Sequence, residues 1–171
     1  MLDPKMEKAI NEQINAEHYS AFLYLAMSAQ FADLGMPGGQ SWMTTQFKEE
    51  LVHAQMFFDY VSERGGRAKL DALAKPPVKW SSGLKMFQDA LAHEQKVTAR
   101  IHDLASLALE LKDHATYNFL QWFIGEQVEE EATASDMVQK FSMAGEHPAG
   151  LYQLDKELAS RLFASPTVYI W

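Results

Sequence analysis

Glu50 and His53 stand three positions apart, so on a helix they point the same way, and a carboxylate beside an imidazole is a pair of metal ligands. Alone the pair means little, since chance supplies about half an E-x-x-H match in a chain with 14 Glu and 6 His. Its weight comes from three other carboxylates. Laid out at 3,4 spacing, four segments each give an apolar or small stripe interrupted once by Glu. They read Ile10, Ile14, Glu17, Ala21, Tyr24, Ser28, Phe31; then Met43, Gln46, Glu50, His53, Phe57, Tyr60; then Leu84, Phe87, Leu91, Glu94, Thr98, Ile101, Ala105, Ala108; and finally Leu120, Phe123, Gln127, Glu130, Ala134, Met137, Phe141. Each Glu falls near the middle of its segment, so an antiparallel bundle brings Glu17, Glu50, Glu94 and Glu130 into one layer. Four inward carboxylates cannot stay ionised without compensation, because even a relaxed interior charges several kcal/mol for each. No Lys or Arg lies on the stripes at that depth. Two divalent cations would balance the charge, and oxygen-rich positions with one imidazole suit Fe(II) or Mn(II) better than structural zinc.

The elements that must position these residues are set by the breaks between them. Gly35 to Gly39 interrupts the chain, as do Gly65 to Ser81, Lys112-Asp113, and Gly145 to Gly150. Between them lie long stretches rich in Ala, Leu, Met, Glu, Gln and Lys, which predict helices over 4–34, 39–64, 82–111 and 114–143, with a shorter one over 148–162. The connection after Gly65, of about 16 residues, reaches roughly 50 Å extended against roughly 40 Å for a 27-residue helix. It can join two parallel helices end to end. The expected fold is therefore all-α: a four-helix bundle running up, down, down, up with one long crossover, plus a fifth helix carrying Leu151, Leu154, Leu158 and Leu162.

Composition narrows the function. The 171 residues form one domain, placed at 1–162, with a tail at 163–171. With 15 Lys plus Arg against 23 Asp plus Glu the formal charge is −8, which disfavours nucleic acid and anionic membranes as partners. The absence of Cys removes disulfides, thiolate zinc and Cys-ligated iron–sulfur clusters. No signal peptide and no run of 18 apolar residues are visible, so the expected location is the cytoplasm.

Glu17 followed by Tyr24, then Glu49-Glu50-x-x-His53, Glu94, and Gln127-x-x-Glu130, on four helices with one crossover, resembles the non-haem ferritins of bacteria and archaea. The resemblance covers residues 1–162, including Asn118-Phe119-Leu120-Gln121-Trp122 and Leu154-Asp155-Lys156-Glu157-Leu158. It implies that Glu17, Glu50 and His53 hold one iron and Glu50, Glu94 and Glu130 a second, with Glu50 bridging and Gln127 and Tyr24 beside the pair. Tyr24 then supplies an electron or a hydrogen bond, or simply packs there. The resemblance further implies that Glu49, Glu126 and Glu129, with Glu130, form a third iron site; the alternative is a solvated acidic patch. It implies ferroxidase chemistry on Fe(II) with O2 or H2O2, and a hollow shell of 24 identical subunits storing ferric mineral. Haem-binding bacterioferritins differ, with Met where this chain has Leu51 and a second Glu-x-x-His where it has Gln127-x-x-Glu130, so no haem is expected. Rubrerythrins add a Cys-ligated iron domain that this chain cannot make. Phe22, Leu23, Leu25, Trp42 and Phe58 lie off the site stripes; any one of them fits a broad core stripe, but together they exceed what one small bundle buries and favour subunit interfaces. By analogy helix five lines the fourfold axis, while Asp113 and His114 are the candidates for a threefold pore. Other readings of the centre are a di-metal oxidoreductase with an organic substrate and a structural or DNA-protecting shell.

Overall fold

The computed structural model describes residues 1–164, and the expected tail lies, from residue 165 onward, outside the described residues. Five helices follow in order: α1 (Pro4–Asp33), α2 (Pro37–Glu63), α3 (Gly83–Glu110), α4 (His114–Ala144) and α5 (Pro148–Leu158). Three begin with Pro in the first turn, where its missing N–H costs nothing, and Asp3, Ser82 and Asp113 cap α1, α3 and α4 through their side chains. Gly35, just past the end of α1 in the turn to α2, has φ +70°, a conformation that suits glycine. No helix among the described residues is long and apolar enough to cross a membrane.

Side-chain pairs fix the directions. Gln13 meets Arg100, Tyr24 meets Glu94 and Phe31 meets Phe87, so α1 and α3 are antiparallel. Gln46 with Glu130, Phe57 with Phe123 and Tyr60 with Thr116 make α2 and α4 antiparallel. Short turns make α1–α2 and α3–α4 hairpins, so the bundle runs up, down, down, up. The crossover between α2 and α3 is a strap laid along α1. It is tied near the start of that helix by Asn11, which donates to Arg67 O at 3.1 Å and accepts from Lys69 N–H. Near the other end Gln30 accepts from Trp80 N–H at 3.2 Å, and the Trp80 indole donates to Asp89.

The core is split in two. One apolar cluster gathers Met6, Ile10, Ile14, Phe57, Ile101, Leu120 and Phe123; the other gathers Met27, Phe31, Met43, Met86, Phe87, Met137 and Phe141. Between them lies the polar layer.

Several expectations are corrected. Helix α5 ends at Leu158, so Leu162 lies outside it and is 84% exposed; the buried stripe is Leu154 and Leu158. Helix α2 starts at Pro37, with Gly38 and Gly39 inside it because α5 lies against this turn: a Cβ on Gly38 would fall 1.7 Å from Asp155 O, and Gly39 N–H donates to the Asp155 carboxylate at 2.8 Å. On α3 the stripe is rotated, with Met86, Ala90 and Val97 buried and Leu84, Leu91 and Thr98 half-buried, because the helix packs against both α1 and α4. Leu23 and Trp42 are core residues of this subunit, whereas Phe22 and Leu25 remain exposed and Phe58 half-buried.

Candidate metal centre

The four central Glu residues all face the buried layer between the two apolar clusters, each 6% exposed or less. Ligand atoms of Glu17, Glu50 and His53 lie within 4.8 Å of one another, and His53 Nδ1 is 3.4 Å from Glu50 Oε2. Glu17 Oε1 accepts from Gln13 at 2.8 Å, while Glu17 Oε2 is buried without a hydrogen-bond donor. A buried oxygen with no donor is expensive in water-free surroundings unless a cation or proton meets it. Across the layer Glu94 accepts a short hydrogen bond from the Tyr24 hydroxyl and another from Gln127 Nε2 at 3.2 Å. Glu130 accepts from Gln46 Nε2 at 2.9 Å, and the same amide approaches Glu50 at 3.4 Å.

The electrostatics describe a site waiting for positive charge. Burial, reinforced by Glu50, pushes the Glu17 carboxyl up to about 8. Burial and the charge of Glu130 push Glu94 up to about 8, and Glu50 is held well above the usual range by burial and by Glu94 and Glu130. Burial beside these carboxylates likewise raises the Tyr24 phenol, which stays protonated. His93, next to ligand Glu94 in sequence, is turned aside: it hydrogen-bonds Ser20 at 2.7 Å, and burial lowers it to about 4.

Two arginines reach the layer from outside the stripes, which stripe reading alone missed. Arg100 donates to Gln13 Oε1 at 2.9 Å, and Arg161 donates to Gln46 Oε1 at 2.6 Å. Each glutamine passes its own amide N–H to a carboxylate of the centre, so both Arg–Gln–Glu chains orient ligands rather than neutralise them directly. Gln13 was the readable signal, a buried amide four residues before Glu17.

Glu49 and Glu126 are half-buried and Glu129 is exposed. Glu49 lies within the field of Glu130 and Glu126, and Glu126 within that of Glu130 and Glu129. Burial outweighs the neighbouring Arg161 and pushes Glu49 up to about 7. Asp113, the pore candidate, makes several contacts within the subunit. Its carboxylate caps α4 through Thr116 N–H at 3.1 Å and takes both hydrogen bonds of the Arg64 Nη2 at 3.1 Å.

Residues 7–144 match the Ferritin family, described as a ferritin-like domain. A bacterial non-heme ferritin of Bacteroides fragilis is 42% identical over 94% of this chain and 100% of its own length, and one from Escherichia coli is 38% identical over 94% and 97%. An open-pore ferritin from the hyperthermophilic archaeon Archaeoglobus fulgidus superposes with a TM-score of 0.93 at 52% identity, covering 95% of this chain and 99% of that one. Sequence match, helix order and a carboxylate–histidine layer agree, and the chain belongs to the non-haem ferritins of the ferritin-like family.

Proposed function

We propose that the protein stores iron and oxidises it on entry, taking Fe(II) as substrate at the central layer. The observation that carries this reading is the convergence of Glu17, Glu50, His53, Glu94 and Glu130 from all four long helices into a buried layer where Glu17 Oε2 has no donor among the described residues. Glu17, Glu50 and His53 would take one Fe(II), and Glu50, Glu94 and Glu130 a second, the four carboxylates balancing two divalent ions. A pair of irons matches the oxidant, since O2 passing to H2O2, or H2O2 to water, takes two electrons and each Fe(II) gives one. Binding displaces the protons that burial keeps on the empty carboxylates. Tyr24 stays fixed on Glu94, which would accept its proton if the ring gave up an electron.

The Fe(III) formed then leaves toward the inner carboxylates Glu49, Glu126 and Glu129, with Glu130 shared between centre and exit. Hydrolysis to mineral there releases further protons. The exposed apolar residues Phe22, Leu25 and Leu51 suit contacts between copies in a closed shell, of 24 subunits by the family resemblance. The unit that does this is residues 1–162.

Sizing the native particle and counting its iron after aerobic Fe(II) loading tests the reading. The expected result is a large homo-oligomer that retains many more iron ions than its centres can hold. Steady oxidation with no iron retained overturns it in favour of a di-metal oxidoreductase.

A further inference from the structure

Arg161 lies three residues beyond the end of α5, yet its side chain turns back along α2. Its guanidinium donates to Glu49 Oε2 at 2.5 Å and to Gln46 Oε1 at 2.6 Å, and its Cζ lies 4.2 Å from the centre of the Trp42 ring. The three partners sit at positions 42, 46 and 49, one face of a helix. A planar cation stacked on an indole and donating to two oxygens is held in one orientation, unlike an ordinary surface ion pair. Its charge is also felt by Glu126, the carboxylate facing Glu49 from α4.

We propose that Arg161 is a built-in, displaceable cation of the inner carboxylate site: its guanidinium occupies Glu49 until a third metal ion takes its place, and so sets how tightly that ion binds. The proposal rests on the third-site reading given above. An ion arriving at Glu49 and Glu126 meets a positive charge already paired with one of its ligands, so it must break that pair and tolerate the like charge nearby. The displacement has a second effect at the centre. Arg161 holds the Gln46 oxygen, which turns the amide N–H toward Glu130 at 2.9 Å. Once the guanidinium leaves, the amide keeps only its own N–H contacts to Glu130 and Glu50, and Glu130 is freer to serve the inner ion. Glu130 thus passes from centre to exit as the arginine moves.

Zn(II), which O2 does not oxidise, is titrated calorimetrically into the assembled protein and into Arg161→Gln, Arg161→Lys, Glu49→Gln and Arg161→Gln/Glu49→Gln variants of confirmed particle size. The parent is expected to bind a third ion per subunit more weakly than the central pair. Arg161→Gln is expected to tighten that third ion about tenfold or more relative to the pair. Arg161→Lys, keeping the charge without the planar fork, falls between, and Glu49→Gln removes the third ion in either background. A third ion that Glu49→Gln removes but whose affinity is equal or weaker in Arg161→Gln overturns the role of Arg161 and leaves the third site standing. Glu49→Gln matching the parent at every step overturns the third site and the proposal with it.

Discussion

Glu94 has two jobs that pull in opposite directions when it is removed. It repels Glu50 and Glu130 across the layer, yet it is the acceptor for Tyr24 and Gln127. In Glu94→Ala the relieved repulsion offsets the lost acceptor of Tyr24, and Gln127 keeps the Glu94 backbone carbonyl and Thr98, so the metal-free protein is expected to remain folded. Fe(II) oxidation is another matter, because on the proposed reading the second ion loses a ligand. Glu94→Ala and Glu130→Ala are each expected to slow the fast phase of oxidation by about tenfold or more, followed by stopped-flow absorbance. An unchanged fast phase in both variants removes these residues from the centre. The four central Glu residues were readable because a lone carboxylate on an apolar stripe is conspicuous, whereas Glu49, Glu126 and Glu129 lie off the stripes and came only from the family resemblance. Arg100 and Arg161 were not readable, since a long side chain reaching across from another segment leaves no trace in the periodicity of the stripe it touches.

At the scale of elements, Arg64 at the end of α2 and Asp113 at the start of α4 lock two helix termini, with Thr116 and Tyr60 hydrogen-bonded into the same cluster. The Asp113 carboxyl is held below its usual range, where the hydrogen bonds of Thr116 and the guanidinium of Arg64 outweigh burial. Asp113→Ala is therefore expected to lower stability by about 1–3 kcal/mol in thermal unfolding, through the lost cap and ion pair, and Asp113→Asn by less because it keeps the cap. Equal stability of parent and Asp113→Ala would show the cluster to be idle. Helix positions were legible because apolar spacing and Gly–Pro punctuation agree along most of the chain. The end of α5 was not, because Leu162 continues a leucine pattern that the bundle does not bury. Asp113 illustrates the same limit: its pairing with Arg64 joins two elements far apart in the chain and leaves no mark in the local sequence.

For the whole molecule, the buried carboxylates tie folding to pH. Glu17 and Glu94 ionise near 8 when folded and empty, against an ordinary value of 4.5. Raised carboxyl values mean that the folded state holds protons the unfolded chain has lost, so stability is greatest at the acid side of this window and falls as pH rises from about 4.5 through about 8. Thermal unfolding of the metal-free protein is expected to shift to lower temperature between pH 5 and pH 9. With saturating Zn(II) the sign reverses, since ions compete with those same protons and bind better as pH rises. Parallel pH profiles with and without metal would show that the central carboxylates do not govern stability.

The strap between the hairpins has a consequence for how the protein is made. Glu17, Glu50 and His53 belong to the first hairpin, and Glu94, Gln127 and Glu130 to the second, some forty residues later in synthesis. If the layer takes two irons as proposed, a nascent chain with only its first half out of the ribosome has the group Glu17, Glu50 and His53 for one of them but not the ligands for the second. On the proposed reading, paired electron delivery would begin only after the second hairpin docks, so an unfinished chain would have no means of carrying out the two-electron reaction. The order of ligands along the chain would then postpone oxygen chemistry until the polypeptide that must contain its products is whole.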